Sequence, residues 1–368
     1  MDDAIKKLYI EPTSECNLSC PMCSRNYWVD EKKGHMSYDL FEKIIAEAAE
    51  LKSIETVFFG GIGEPLFHPR IIDMIKAAKE TGKRVEIITN GTLLNGELSR
   101  KLVQTEPDRL WISIDGIDEP KYESIRRGAE FQSVTQNIKY LNAERKQMRS
   151  RLELGLSFVL MRKNADQLPK LPAFARKYRI MEIKVTNLIP NTREMVEETL
   201  YTRALTSFTG PKGSMVKIDL PVFDMADEVK EPLFSLFRSY AEFYLMGTPL
   251  KRQSGYCRFV NEGNVFVRWD GEVCPCMSLL HSGKTYLHDY ERHLKFATFG
   301  NIRDKSLMEI WQSDAYASFR NKVVAFDFAP CTLCGSCDKL ESNEEDCFNN
   351  TFPVCGGCLW AQGFIQCP

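Results

Sequence analysis

Three cysteines stand close together near the start of the chain, in Cys16-Asn17-Leu18-Ser19-Cys20-Pro21-Met22-Cys23, just after a strand-like apolar run, Leu8-Tyr9-Ile10. The next cysteine is Cys257, and ten of the thirteen fall between it and Cys367. Asn17, Ser19 and Pro21 are turn formers, so the first three thiols sit on a loop and not in a core. Thiolates at this spacing can hold three corners of a four-iron four-sulfur cluster, leaving one iron open to an outside molecule, whereas a relay site normally closes all four with cysteine. Zinc is the rival. Its structural sites need four ligands, and the nearest addition is His35, behind the charged Asp30-Glu31-Lys32-Lys33.

A chain of 368 residues suits two domains. Its 48 basic and 50 acidic residues leave a net charge of -2, which gives no sign of a nucleic-acid or membrane partner. Met1 to Lys7 lacks the apolar core of a signal peptide, and no apolar run of about eighteen residues occurs, so a cytoplasmic protein is expected. In a reducing compartment its cysteines are metal ligands or reactive thiols before they are disulfides.

Strand-like runs alternate with amphipathic stretches: 8–10, 56–59, 85–89, 110–114, 154–160 and 183–185, with helices such as 38–51, 71–79 and 134–145 between them. Six units predict an α/β fold, a partial (β/α)6 TIM-like barrel over residues 1–195. A bridge follows over 196–250, with a strand at 216–220 and a helix near 233–245. Residues 251–368 then form a small cysteine-rich α+β domain. Barrel function sits at the C-terminal strand ends. There lie Gly60-Gly61-Ile62-Gly63-Glu64, Thr89-Asn90-Gly91 and Ser113-Ile114-Asp115-Gly116. Ser113 and Asp115 share a strand face, and an unpaired inward aspartate would be costly, which points to a ligand.

The Cys-x3-Cys-x2-Cys loop with these later motifs resembles the radical S-adenosylmethionine (radical SAM) superfamily. The resemblance implies that Cys16, Cys20 and Cys23 hold a 4Fe-4S cluster whose open iron binds S-adenosylmethionine. By the same resemblance Gly60, Gly61, Gly63 and Glu64 meet its amino group, Asn90 adjoins it, and Ser113 and Asp115 meet its ribose. Arg126 or Arg127, with Arg126 preferred, contacts its carboxylate. Ser157, Asn187 and Leu188 pack around the nucleoside.

Cys257, Gly271 and Cys276 then resemble the opening of a SPASM domain, which carries auxiliary iron-sulfur clusters. Asp270-Gly271 predicts a hairpin between them. The remaining spacing departs from the family run. One auxiliary cluster is expected on Cys257, Cys276 and Cys347 with Cys274 or a downstream cysteine. A second draws on Cys331, Cys334, Cys337, Cys355, Cys358 and Cys367. A zinc ribbon on 331/334 and 355/358 stays open as an alternative.

The resemblance implies reductive cleavage of S-adenosylmethionine and hydrogen abstraction from a peptide or protein substrate, fed by a low-potential donor such as flavodoxin or ferredoxin. Residues 187–195 and the Cys355 to Phe364 run also resemble maturases of tungsten-cofactor oxidoreductases. A small-molecule radical dehydrogenase or rearrangement enzyme, and a non-catalytic iron-sulfur electron carrier, are the remaining alternatives. A carrier gives no reason for Glu64, Ser113 and Asp115 at strand ends.

Overall fold

The computed structural model describes residues 4–29, 32–202, 216–221, 229, 232, 236, 242–245, 248–249, 255–329, 331–332 and 337–368. Short apolar runs, most of them buried on both faces, make the strands of a parallel sheet. β1 (Lys7–Ile10), β2 (Thr56–Phe59), β3 (Arg84–Thr89), β4 (Arg109–Ser113), β5 (Glu153–Leu160) and β6 (Glu182–Asn187) pair in chain order, each parallel to the last. Helix α1 (Tyr38–Glu50) shows why the crossovers form. Ser37 accepts the Leu40 N–H at its start, and Leu40, Phe41, Ile44, Ile45 and Ala48 recur at helical spacing on its buried face. The expected partial α/β barrel is present.

The sheet does not stop at β1. Strand β10 (Asn264–Val267), from the cysteine-rich region, pairs parallel to β1 in the register Lys7↔Asn264 to Ile10↔Val267. After the turn at Gly271, whose φ of 96° suits glycine, β11 (Val273–Cys274) returns antiparallel. This is the expected hairpin, and it extends the barrel sheet to eight strands in the order β11-β10-β1-β2-β3-β4-β5-β6. Tyr9 anchors the join, its ring stacked on Phe266 at 4.2 Å and tilted against Phe58 at 4.8 Å.

The same few residues near Pro368 bridge β6 back to β1. Asn187 Nδ2 donates to Phe364 O (2.9 Å), the Gln366 N–H to Thr186 Oγ1 (3.0 Å), and Tyr9 OH to Pro368 O (3.0 Å). A second hairpin, β12 (Gly283–Leu287) and β13 (Tyr290–Leu294), lies against the loop after β6, where Pro190 O accepts from Tyr286 N (2.8 Å) and Thr285 Oγ1 (2.9 Å).

In the bridge, β7 (Lys217–Leu220) meets the expectation. The expected helix near 233–245 is corrected at its end: Glu242–Leu245 is a strand paired parallel to β7 in the register Lys217↔Glu242 to Leu220↔Leu245. The rest of that helix, save Leu236, lies outside the described residues. Among the described residues no helix is long and apolar enough to cross a membrane.

At the strand starts a polar floor closes the barrel. Glu86 pairs with Lys7 (3.5 Å) and Arg84 (2.8 Å), and Arg109 pairs with Glu153 and Glu182. Burial raises the Glu86 carboxyl, but Lys7 and Arg84 outweigh it and hold the group below its ordinary value. A depressed carboxyl contributes stability above the ordinary carboxylate range, and that stability is lost as pH falls through the depressed value. Glu86→Gln is therefore expected to flatten the acid limb of stability against pH. At neutral pH it should cost about 1–3 kcal/mol, because Lys7 loses its partner. Urea midpoints across the acid range measure both.

Candidate active site

The loop after β1 and the loop after β2 are pressed together. A Cβ on Gly63 would lie 2.1 Å from Thr13 O and 2.7 Å from Glu15 O, and the Glu64 N–H donates to Glu15 O at 2.8 Å. Gly61 has a φ of 130°, and a Cβ there would strike Glu11 Cγ at 2.6 Å. These glycines let the second loop serve as the bed of the cysteine loop.

On that bed the three thiols share one electrostatic neighbourhood. Burial pushes the Cys20 thiol to about 11, with Cys23 and Cys16 adding to it and the Arg126 guanidinium opposing. The Cys16 thiol is also raised by burial, and its sulfur accepts from the Leu18 N–H at 3.4 Å and from Asn90 Nδ2 at 3.8 Å. N–H donors and a nearby cation stabilise thiolate, the form that binds metal, so this donor set fits three corners of an iron-sulfur cluster.

Around the thiols opens a cavity of about 360 Å³. Glu64 reaches it although it is only 2% exposed, because its oxygens accept from Thr89 Oγ1 (2.7 Å), Leu66 N (3.0 Å) and Asn90 N (2.6 Å). Burial nevertheless raises its pKa. Ser113 and Ser157 are register partners on β4 and β5; both line the cavity, and neither hydroxyl has a hydrogen-bond partner among the described residues. Two adjacent hydroxyls facing one space fit a polar, hydroxylated ligand. Gly61, Gly63, Asn90, Arg126, Asn187 and Leu188 also line it, and Gly60, pressed on Phe58, lies behind.

Asp115 needs no ligand to explain its burial, contrary to expectation. One oxygen accepts from Arg126 (2.7 Å) and the other from Val159 N (2.7 Å), so the carboxylate is paired within the protein and locks Arg126 beside Cys20. A neighbour eleven residues away is too distant for strand alternation to reveal.

The cysteine-rich region reaches the same cavity. Cys257, Cys276, Cys355 and Cys358 all line it. Burial pushes the Cys257 thiol to about 12, with Cys358 adding to it. The Cys276 thiol is raised by burial and then by Cys257, Cys358 and Cys355, and the Cys355 thiol by burial and then by Cys358 and Cys257. These four thiols share one cavity wall, which makes them candidate ligands of an auxiliary cluster.

Of the expected first set, Cys257 and Cys276 line this cavity and Cys347 does not. Cys347 is exposed on a loop held by Asp346, which accepts from the Phe348 N–H (2.9 Å). Cys274 is fully buried beside Arg268 and Glu11. Cys367 lies against Trp360 Nε1 (3.5 Å), with Lys184 and Lys7 as its charged neighbours. Cys331 Sγ would be 3.3 Å from a Cβ on Gly356, Cys337 is exposed, and Cys334 lies outside the described residues. Of the zinc-ribbon alternative, Cys355 and Cys358 line the same cavity as Cys257 and Cys276, while Cys334 lies outside the described residues.

One pair escaped the sequence. His281 Nε2 contacts both Glu11 oxygens, at 2.9 and 3.0 Å, and its ring stacks on Trp28 at 3.9 Å. A histidine separated from its partner by 270 residues carries no local signal.

Iron content tests these assignments. Gly63→Ala is expected to cost the N-terminal cluster by displacing Thr13 and Glu15. Cys358→Ser should cost one auxiliary cluster, and Cys274→Ser should keep the full complement. Equal iron in all three would refute the grouping.

A model of the radical SAM superfamily matches residues 10–149, and one of SPASM, an iron-sulfur cluster-binding domain, matches 257–338. The chain is 32% identical to the tungsten-containing aldehyde ferredoxin oxidoreductase cofactor-modifying protein of Pyrococcus furiosus, over 99% of this chain and 97% of that protein. It is 26% identical to the PqqA peptide cyclase of Gluconobacter oxydans, over 95% and 89%. Its fold resembles Streptococcus suis SuiB bound to S-adenosylmethionine, with a TM-score of 0.60 at 17% identity, over 94% and 73%. On these matches the chain is a member of the radical SAM superfamily, an enzyme with a SPASM domain for auxiliary iron-sulfur clusters.

Proposed function

We propose that the enzyme modifies or matures a peptide or protein substrate held in the cavity between the Cys16 loop and the Cys257 quartet. The observation that carries this is the shared cavity, which places both cysteine groups on the walls of one space. Held at a cluster on Cys16, Cys20 and Cys23 and given one electron, S-adenosylmethionine would lose methionine by cleavage of its sulfonium carbon–sulfur bond and would supply hydrogen-abstracting radical chemistry. The chain binds, aims and excludes water. Glu64, fixed by three donors, offers a carboxylate to an amino group. Ser113 and Ser157 offer hydroxyls to a ribose, and Arg126 supplies positive charge beside Cys20. The β12–β13 hairpin and Trp28 form part of the cavity wall. A flavodoxin or ferredoxin is the proposed electron donor.

The relatives support two substrate readings. The peptide cyclase, similar over nearly its whole length, favours a peptide. The Pyrococcus protein, similar at higher identity, favours a role in maturing a tungsten-containing oxidoreductase. Supplying each candidate with deuterium at its exchange-inert carbons separates them, since only the true substrate passes deuterium into 5'-deoxyadenosine.

Two outcomes are expected from anaerobic assays with dithionite and S-adenosylmethionine. Replacing Cys16, Cys20 and Cys23 by alanine abolishes 5'-deoxyadenosine; undiminished product refutes the assignment. Ser113→Ala and Ser157→Ala each weaken S-adenosylmethionine binding roughly two- to tenfold, from about 0.5–1.5 kcal/mol per hydrogen bond, as read by equilibrium dialysis.

A further inference from the structure

Arg292, on β13, is buried at 5% exposure and pairs with no carboxylate among the described residues. Its guanidinium donates instead to three carbonyls: Nε to Leu340 O (2.7 Å), Nη1 to Gly357 O (2.7 Å) and Nη2 to Ser342 O (3.1 Å). Half-buried Arg126 pairs with Asp115 and buried Arg268 with Asp270, whereas buried Arg320 donates to Trp311 O and lies over the Trp311 ring. A buried guanidinium facing only dipoles is costly, so a counter-charge is called for.

The side chains in electrostatic reach of Arg292 are the thiols of Cys358, Cys331 and Cys355. The contact is built in: a Cβ on Gly357 would lie 2.8 Å from Cζ, Nη1 and Nη2, so the guanidinium lies flat on the Cys355-Gly356-Gly357-Cys358 loop. Gly356 plays the complementary part, because a Cβ there would strike Ala329 O at 2.0 Å and crowd Cys331 Sγ at 3.3 Å. Glycines at these two positions let one cation and one further thiol approach the same pair of cysteines. Lys322 is a second, less buried cation near Cys355.

We propose that Arg292 is a positioning residue for the auxiliary centre: its guanidinium is the counter-charge of the thiolates at Cys355 and Cys358, and of Cys331 beside them, and it raises the reduction potential of the cluster they bind. Cluster potentials follow net charge, hydrogen bonds to sulfur and exposure. A fixed cation favours the more negative, reduced state. The inference rests on the auxiliary assignment of Cys355 and Cys358 and not on the substrate. A bare structural clasp on three carbonyls would leave the potential unmoved.

The test uses the full-length protein with its clusters assembled, titrated electrochemically and followed by electron paramagnetic resonance, with iron per chain and 5'-deoxyadenosine formation measured beside it. In Arg292→Gln the reduced-to-oxidised ratio of the auxiliary signal at fixed potential is expected to fall about tenfold, equivalent to about 59 mV for one electron. Arg292→Lys, which keeps the charge but not the fork, should stay within about threefold of the parent. Gly357→Ala, which pushes the guanidinium off the loop without removing it, should shift the ratio in the same direction as Arg292→Gln. Loss of auxiliary iron from Arg292→Gln with retention in Arg292→Lys also supports the proposal. An unmoved potential in Arg292→Gln, or equal loss of iron or potential in both arginine variants, overturns it. Formation of 5'-deoxyadenosine depends on the N-terminal site, so its absence in the parent protein would count against the proposed function and leave this inference standing on the titration.

Discussion

Everything at the active site depends on strand β1 being shared. It pairs with β2 on one side, as any barrel strand would, and with β10 on the other. The loop leaving β1 carries Cys16, Cys20 and Cys23, while β10 and β11 lie between Cys257 and Cys276. Four residues of register therefore fix the distance between the two cysteine groups as rigidly as backbone hydrogen bonds allow. Neither a flexible linker nor a docked domain would hold an S-adenosylmethionine site and an auxiliary centre on one cavity so firmly. Tyr9, stacked on Phe266 and bonded to Pro368 O, ties strand, hairpin and C-terminal segment at one point.

The chemistry then follows from close backbone approach. Gly63 permits contact with Thr13 and Glu15 that no side chain would tolerate, and the same device recurs at Gly356 and Gly357 beside the other cysteine group. In both places a cation also lies near sulfur. At the first site Arg126, locked by Asp115, lies near Cys20; at the second Arg292, held by carbonyls, lies near Cys355 and Cys358.

Much of this was legible in the sequence, for physical reasons that also mark where it stopped. Buried parallel strands are short apolar runs, so all six barrel strands could be placed to within a residue or two, and Asp270-Gly271 announced its hairpin. The partner of β10 was not legible, because pairing Lys7 with Asn264 leaves no local pattern. Ligand grouping failed for the same reason. Cys347 looks as eligible as Cys358 along the chain, and only folding carries Cys358 to Cys257 and leaves Cys347 exposed. Asp115 was found by strand alternation, but its pairing with Arg126, which also lines the cavity, was not. Glu11 and His281 gave no signal at all.

The central claim is that the cluster on Cys16, Cys20 and Cys23 binds S-adenosylmethionine directly through an iron the chain does not ligate. It is tested most directly by electron-nuclear double resonance on the reduced protein with S-adenosylmethionine carrying nitrogen-15 in its amino group. The account predicts hyperfine coupling between that nitrogen and the cluster, lost when the three cysteines are replaced. A fully assembled cluster that shows no such coupling would contradict it.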